Sequence, residues 1–226
     1  MAKKTSVYVD YAATTFVKPE VLDEMLPFFS VHFGNYSGIH EFSKKVRPAL
    51  NQARKQLANL INAETDEIFI TSGGTESDNW AIKGLALANP GKKHIVTSQI
   101  EHHAIINTCA QLEKTGYRIT YLPVDKDGIV SPKDVISALS DDTLVVSIMT
   151  ANNEIGTIEP ICCIGGICKD HAVIFHTDAI QAFGSIPIDV KKMNIDMLSA
   201  SAHKIYGPKG VGMLYIKKGL NLAPLL

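Results

Sequence analysis

Seven short apolar runs, each closed by polar residues, confine this chain to a small set of folds. The runs predicted as strands are Glu67–Thr71, His94–Ser98, Arg118–Val124, Thr143–Met149, Ala172–Thr177, Met197–Ser201 and Val211–Ile216. Helical patterns lie between most of them. Strands rich in Val and Ile that do not alternate with polar residues are buried on both faces, and strands separated by helices pair in parallel. The expectation is an α/β fold in three layers: a mostly parallel sheet with helices on both faces.

The helical periodicity is clearest early in the chain. Residues 19–31 place Val21, Leu22, Met25 and Leu26 on one face. A longer pattern follows, through Phe42, Val46, Ala49, Ala53, Leu57 and Leu60, with Pro48 inside it. Proline lacks an amide donor, so a kink or break is expected there. Ser131, Pro132 and Asp134 form a helix start: a cap, a first-position proline and an acid in the first turn. The segment Val7 to Thr15 stands apart as an arm.

The 226 residues suffice for one large domain with a substantial core. A net charge of −1 gives no bulk pull toward nucleic acid or an anionic membrane. No apolar run is long enough to cross a bilayer, and the start at Met1–Thr5 has no signal-peptide pattern. The four cysteines are Cys109, Cys162, Cys163 and Cys168, three of them in one predicted helix. They are expected to be packing residues in a protein of the reducing cytoplasm.

In open parallel sheets, ligands bind beyond the carboxyl ends of the strands. Five of the predicted strands deliver polar groups to that edge. They end in Ser72-Gly73-Gly74-Thr75, in Glu101-His102-His103, in Asn152-Asn153-Glu154, in Asp178 with Gln181 one turn on, and in His203-Lys204. Chance places one or two such clusters, whereas five point to a shared site.

Each residue has a plain reading beside a chemical one. Ser72–Thr75 opens a helix, where glycines let amides approach an anion such as phosphate; a simple capping turn is the alternative. Lys204 is a Schiff-base nucleophile if desolvated, or a solvated loop lysine. Asp178 is a partner for a pyridinium nitrogen, or a cap for the turn after it. His103 is a ring that stacks and shuttles protons, or a surface histidine. His176, Asp178, His102, His103 and His203 raise a metal reading, but no Cys-x-x-Cys or His-Glu-x-x-His spacing supports it.

Six motifs carry a resemblance. They are Tyr11–Thr15 (YAATT), Ser72–Asn79 (SGGTESDN), Glu101–Ala104 (EHHA), Ala151–Gly156 (ANNEIG), His176–Ala179 with Gln181, and Ser201–Gly210 (SAHKIYGPKG). Together they resemble the NifS-type cysteine desulfurases, class-V aminotransferase-like enzymes of the fold-type-I pyridoxal-phosphate group. The likeness runs from about Tyr8 to Lys217.

The resemblance implies pyridoxal 5'-phosphate as cofactor, held by Lys204 as a Schiff base. It implies phosphate contacts from Gly74, Thr75, Ser201 and His203. Asp178 would pair with the ring nitrogen and Gln181 with the ring oxygen. His103 would stack on the ring and move protons, and Asn153 would lie near the ring and the substrate carboxylate. The implied reaction takes sulfur from L-cysteine, leaving L-alanine. The sulfur passes as a persulfide to an acceptor such as an iron–sulfur scaffold or a tRNA-modifying enzyme.

The resemblance also implies a homodimer. Residues 1–15 would be an arm belonging to a small domain, residues 16–226 the large cofactor-binding domain, and the C-terminal small domain would be absent. None of the four cysteines matches the family's persulfide position. Tyr11, Tyr36 and Pro48 also depart from its pattern. Two further hypotheses therefore stand beside it: an inactive piece that retains at most cofactor binding or dimerisation, and a metal-dependent hydrolase built on the histidines.

Overall fold

A computed structural model of the chain describes residues 6–225. The start of the predicted arm, residues 1–5, and residue 226 lie outside the described residues. All seven predicted strands form. They are β1 (Ile68–Thr71), β2 (His94–Ser98), β3 (Arg118–Leu122), β4 (Thr143–Ser147), β5 (Ile174–Asp178), β6 (Met197–Ser201) and β7 (Gly212–Ile216). β5 begins two residues later than the composition suggests, because Ala172 turns through a positive φ of 53°.

The strands join one sheet in the order β1-β7-β6-β5-β4-β2-β3. β7 is antiparallel to both β1 and β6; the other pairs are parallel. After β2 the chain moves outward to β3, then returns to β4 on the other side of β2. The topology therefore reverses between β2 and β4, a place where sheets of this kind open a crevice at their carboxyl edge.

Helices cover both faces: α1 (Pro19–Ser30), α2 (Val46–Leu60), α3 (Gly74–Asn79), α4 (Leu85–Ala88), α5 (His103–Glu113), α6 (Pro132–Ala138) and α7 (Ile161–Asp170). A π-helical turn, Trp80–Gly84, joins α3 to α4. Side chains alternate across the sheet. Met213 and Tyr215 of β7 join the cluster under α2, α6 and α7, with Leu198, Phe175 and Ile164. Leu214 and Ile216 join the opposite cluster with Ile82, Leu85, Ile105 and Met197. A strand with both faces covered must be apolar throughout, which is why β7 reads as an unbroken apolar run.

One local expectation holds and three are corrected. Pro48 interrupts the long helical pattern as expected: Phe42 lies in a 3₁₀ turn, Glu41–Ser43, and α2 starts afresh at Val46, so that Pro48 sits in its first turn, where amides have no intrahelical acceptor. Ser131 precedes α6 but makes no side-chain cap. Of the cysteines, only Cys109 and Cys168 are buried packing residues; Cys162 and Cys163 are exposed on α7. The predicted apolar face of α1 also finds no cover, since no residue of that helix is buried and Leu22 and Leu26 are exposed. Among the described residues no helix is long and apolar enough to cross a membrane.

Candidate active site

A cavity of about 240 Å³ opens at the carboxyl edge of the sheet. Five strands supply its walls. Gly74 and Thr75 follow β1, and His102 follows β2. Met149, Ala151 and Asn153 follow β4; Asp178, Ile180 and Gln181 come from the end of β5; Ser201, His203 and Lys204 come from the end of β6. Ala13 of the arm completes the rim.

Antiparallel β7 fits into the same edge by its start. A Cβ on Gly212 would lie 2.6 Å from the backbone of Gly73, so only glycine permits this approach of β7 to the turn after β1. A Cβ on Gly74 would meet Ile180 Cδ1 at 2.1 Å.

Eight of the nine predicted site residues line this cavity, and His103 does not. It is the first residue of α5 and lines a separate groove with Glu154 and Ile155. His102 takes the place expected of His103. It is the N-cap of α5, still extended at φ −60° and ψ 148°, so its ring points out of the helix toward the cavity. His102 Nδ1 accepts the Ala104 amide at 3.1 Å, which leaves the ring proton on Nε2. Burial holds this imidazole below the usual histidine range, helped by His103 and Lys204.

Lys204 ends a 3₁₀ turn after β6. Its ammonium donates to the Ala13 carbonyl at 2.9 Å and, more closely, to that of Ala12. Partial burial lowers its pKa, against the opposing pull of Asp178, Asp10 and Glu154. Gln181 Nε2 also donates to Ala12 O, at 2.8 Å. Thr15 ties the arm down: its amide donates to His203 O at 2.8 Å, and its hydroxyl accepts the Tyr206 amide at 2.8 Å.

Asp178 is the last residue of β5 and is 3% exposed. Its Oδ1 accepts the Ile180 amide at 2.9 Å, so it caps the turn after β5 and also lines the cavity. Burial raises this carboxyl to about 6, despite that amide and Lys204.

Beneath the cavity lies a layer of buried polar groups whose burial local sequence patterns do not reveal. His176 Nδ1 is 2.8 Å from Ser147 Oγ, and its Nε2 is 3.0 Å from Ser199 Oγ. Both ring nitrogens are thus occupied, and burial pushes the imidazole down to about 3. Of the histidines in the metal reading, His102 and His203 line the cavity with Asp178, whereas His176 is embedded in the sheet and His103 lines the adjoining groove.

Glu101 is also buried, with Oε1 accepting the Ser98 hydroxyl at 2.7 Å and the Met149 amide at 2.9 Å. Burial raises it to about 8 from an ordinary 4.5. Between those values the folded chain holds a proton that the unfolded chain has released, so its stability falls as pH rises. Glu101→Gln removes that slope. Its stability advantage over the parent should be small at pH 5 and reach about 4 kcal/mol near pH 8, from the cost of each shifted pKa unit. Urea unfolding at both pH values measures this; parallel pH profiles for the two proteins would refute a protonated Glu101.

Comparison with known proteins converges on one group. The aminotransferase class-V model matches residues 7–225. A protein named cysteine desulfurase IscS from Clostridium botulinum is 59% identical over 221 residues, which is 97% of this chain and 56% of the relative. One of the same name from Methanosarcina thermophila is 58% identical over 222 residues, 98% of this chain and 55% of the relative. Among solved structures, one titled SspA in complex with cysteine superposes with a TM-score of 0.96 at 44% identity. That match covers 98% of this chain and 65% of that one. A NifS-like protein gives a TM-score of 0.96 at 39% identity, covering 98% and 62%. The chain therefore spans a little over half the length of the curated relatives it matches.

Proposed function

This chain belongs to the aminotransferase class-V family, and on that premise we propose that it is the cofactor-binding part of a pyridoxal-phosphate-dependent cysteine desulfurase. One observation carries the reading: Lys204, Asp178 and the Gly74–Thr75 turn line a single cavity. An amine at the rim, a buried carboxylate and a glycine turn at the start of a helix fit a flat aldehyde that bears a phosphate and a basic ring nitrogen.

Pyridoxal phosphate would be held covalently at Lys204 Nζ. Its phosphate would lie against Gly74, Thr75, Ser201 and His203, its ring nitrogen at Asp178 and its ring oxygen at Gln181. When bound, it supplies an electron sink for the charge left at a substrate Cα. The chain's own groups do the rest. Asp178 keeps a negative charge where a protonated ring nitrogen needs one. His102, rather than His103, offers a ring face and an Nε2 proton. Lys204, whose pKa burial lowers, would take and return a proton at Nζ once the substrate amine has replaced it. Asn153 stands where the substrate carboxylate would lie.

The substrate proposed is L-cysteine, with L-alanine as product and sulfur handed to an acceptor such as an iron–sulfur scaffold or a tRNA-modifying enzyme. The names of the relatives and the cysteine-bound neighbour support this choice. The reducing cytoplasm is the proposed compartment, in keeping with four free cysteines. The two-domain division, with residues 1–15 allied to a small domain and residues 16–226 forming the large one, belongs to the same proposal. So does a homodimer, supported by the exposed Phe28, Phe29, Phe33, Ile39 and Phe42.

A second reading, a piece that binds cofactor without turnover, rests on the cysteines. None lines the cavity. Cys109 and Cys168 are buried with thiols pushed up to about 12, and Cys162 and Cys163 lie on α7.

Adding pyridoxal phosphate to the purified chain should produce a visible absorbance band that borohydride bleaches, fixing the label on Lys204. Alanine release from cysteine then separates turnover from binding. No band, or a label on another lysine, would refute the proposal. Light scattering tests the homodimer, and a monomer at micromolar concentration would count against it.

A further inference from the structure

We propose that Asp78 is a positioning residue of this site: a buried, neutral carboxylic acid that donates a hydrogen bond to the Asp178 carboxylate and so keeps Asp178 ionised. The proposal rests on the cofactor reading above for its purpose, but not for its chemistry.

Asp78 lies on α3 and is 0% exposed. Among the described residues neither of its carboxyl oxygens has a partner at full hydrogen-bond geometry, though the Ser199 hydroxyl lies near enough to act on it. An anion there would have no counter-charge. The nearest basic group is His176, with Nε2 3.8 Å from Asp78 Oδ1. That ring is neutral at ordinary pH and its nitrogens already face Ser147 and Ser199.

The groups around Asp78 are His176 and Asp178 from β5, Ser199 from β6, and Glu101 and His102 from the segment before α5. None of these is a cation. One polar atom each of Asp78, His102 and Asp178 lie within 4.8 Å of one another. Two buried carboxyl groups this close do not both ionise, and one proton stays with the pair.

The surroundings decide which group keeps it. Asp178 has the Ile180 amide and faces Lys204, both of which favour its anion. Asp78 has neither; the Ser199 hydroxyl favours its anion, but burial first and the nearness of Asp178 second outweigh that and raise it well above the usual carboxylate range. The proton therefore belongs to Asp78. A proton on an otherwise unpartnered oxygen beside a carboxylate is a donor aimed at that carboxylate. This also explains why a charged residue type sits inside the sheet–helix interface with no cation beside it.

The test begins on the unmutated 226-residue chain without cofactor. Carbon-13 labelling of aspartate carboxyls separates aspartate from Glu101 in the infrared. A protonated aspartyl carbonyl band should persist at pH 7. Its absence, with every aspartate ionised, overturns the proposal. The second arm uses Asp78→Asn and Asp78→Leu. Asparagine is neutral and can still donate to Asp178; leucine cannot.

Asp78→Asn should bind pyridoxal phosphate within about threefold of the parent, whereas Asp78→Leu should bind roughly tenfold or more weakly, the loss expected for a hydrogen bond to a charged group. The leucine variant should also lose cofactor at a higher pH on acidification, because an unassisted Asp178 protonates sooner. A leucine variant with the parent's affinity and pH profile would overturn the proposal even if the infrared band is present. If that variant does not fold, the labelled parent chain still decides. Failure of the parent chain to take up cofactor refutes the proposed function, and the infrared band then decides by itself whether Asp78 is protonated.

Discussion

Lys204→Ala should abolish all borohydride-fixable cofactor while leaving the chain folded. The side chain's contacts in the structure are with the carbonyls of Ala12 and Ala13, on the exposed arm rather than in the core. Truncation therefore removes surface hydrogen bonds, with a small effect on stability. The chemical effect is of another order, because no other amine is among the cavity's lining residues. Lys204→Arg sharpens the result: it keeps a cation near Asp178 but has no amine to form the covalent bond. If the chain turns over cysteine as proposed, either change should lower that turnover by on the order of 10⁴-fold or more, as removal of a covalent catalytic group does. Absorbance after gel filtration, and peptide mapping after borohydride, read the outcome. A band that survives in Lys204→Ala would place the attachment elsewhere.

The second large effect concerns the scaffold. Gly165 and Gly166 are neighbours in α7, and the same substitution at each should have opposite results. A Cβ on Gly165 would lie 1.9 Å from the carbonyl oxygen of Met193 and 3.3 Å from Phe175 Cδ1. The obstacle at 1.9 Å is backbone, so α7 or the segment before β6 must move. Gly165→Ala is expected to cost about 3 kcal/mol, the upper range for overpacking a core, set against a gain of about 1 kcal/mol from the alanine's helix preference. Nothing lies within 4 Å of a Cβ on Gly166, so Gly166→Ala should stabilise by about 0.5–1 kcal/mol. Urea midpoints for the pair measure the difference. Equal midpoints would mean that α7 does not press on Met193 as the structure shows.

Much of the architecture was legible because it depends on local composition. Each strand buried on both faces has to be apolar along its length, and the carboxyl end of each has to meet water or a ligand. Those two requirements leave a readable pattern, and all seven runs became strands. The helices were legible by period, although Pro48 shows the limit: its effect depends on which turn of the helix it occupies. The exposed Cys162 and Cys163 show another, since a helix states its period without stating how far its neighbours cover it.

The candidate site divides in the same way. Its list of loops was visible, because Gly74, Asn153, Asp178, Gln181 and Lys204 each follow a recognisable strand. The choice between His102 and His103 was not. Tandem histidines carry the same chemistry, and the one that faces the cavity is set by where helix α5 begins.

By itself, then, the sequence determined the set of strands, the edge at which polar groups gather and the lysine that stands among them. Only the tertiary structure decided that β7 runs against its neighbours, that the arm's carbonyls hold Lys204, and that the buried Asp78 comes within 4.8 Å of Asp178. The first group follows from what each segment must bury. The second follows from which distant segments come within a few ångströms of one another, and proximity of that kind leaves no mark on local composition.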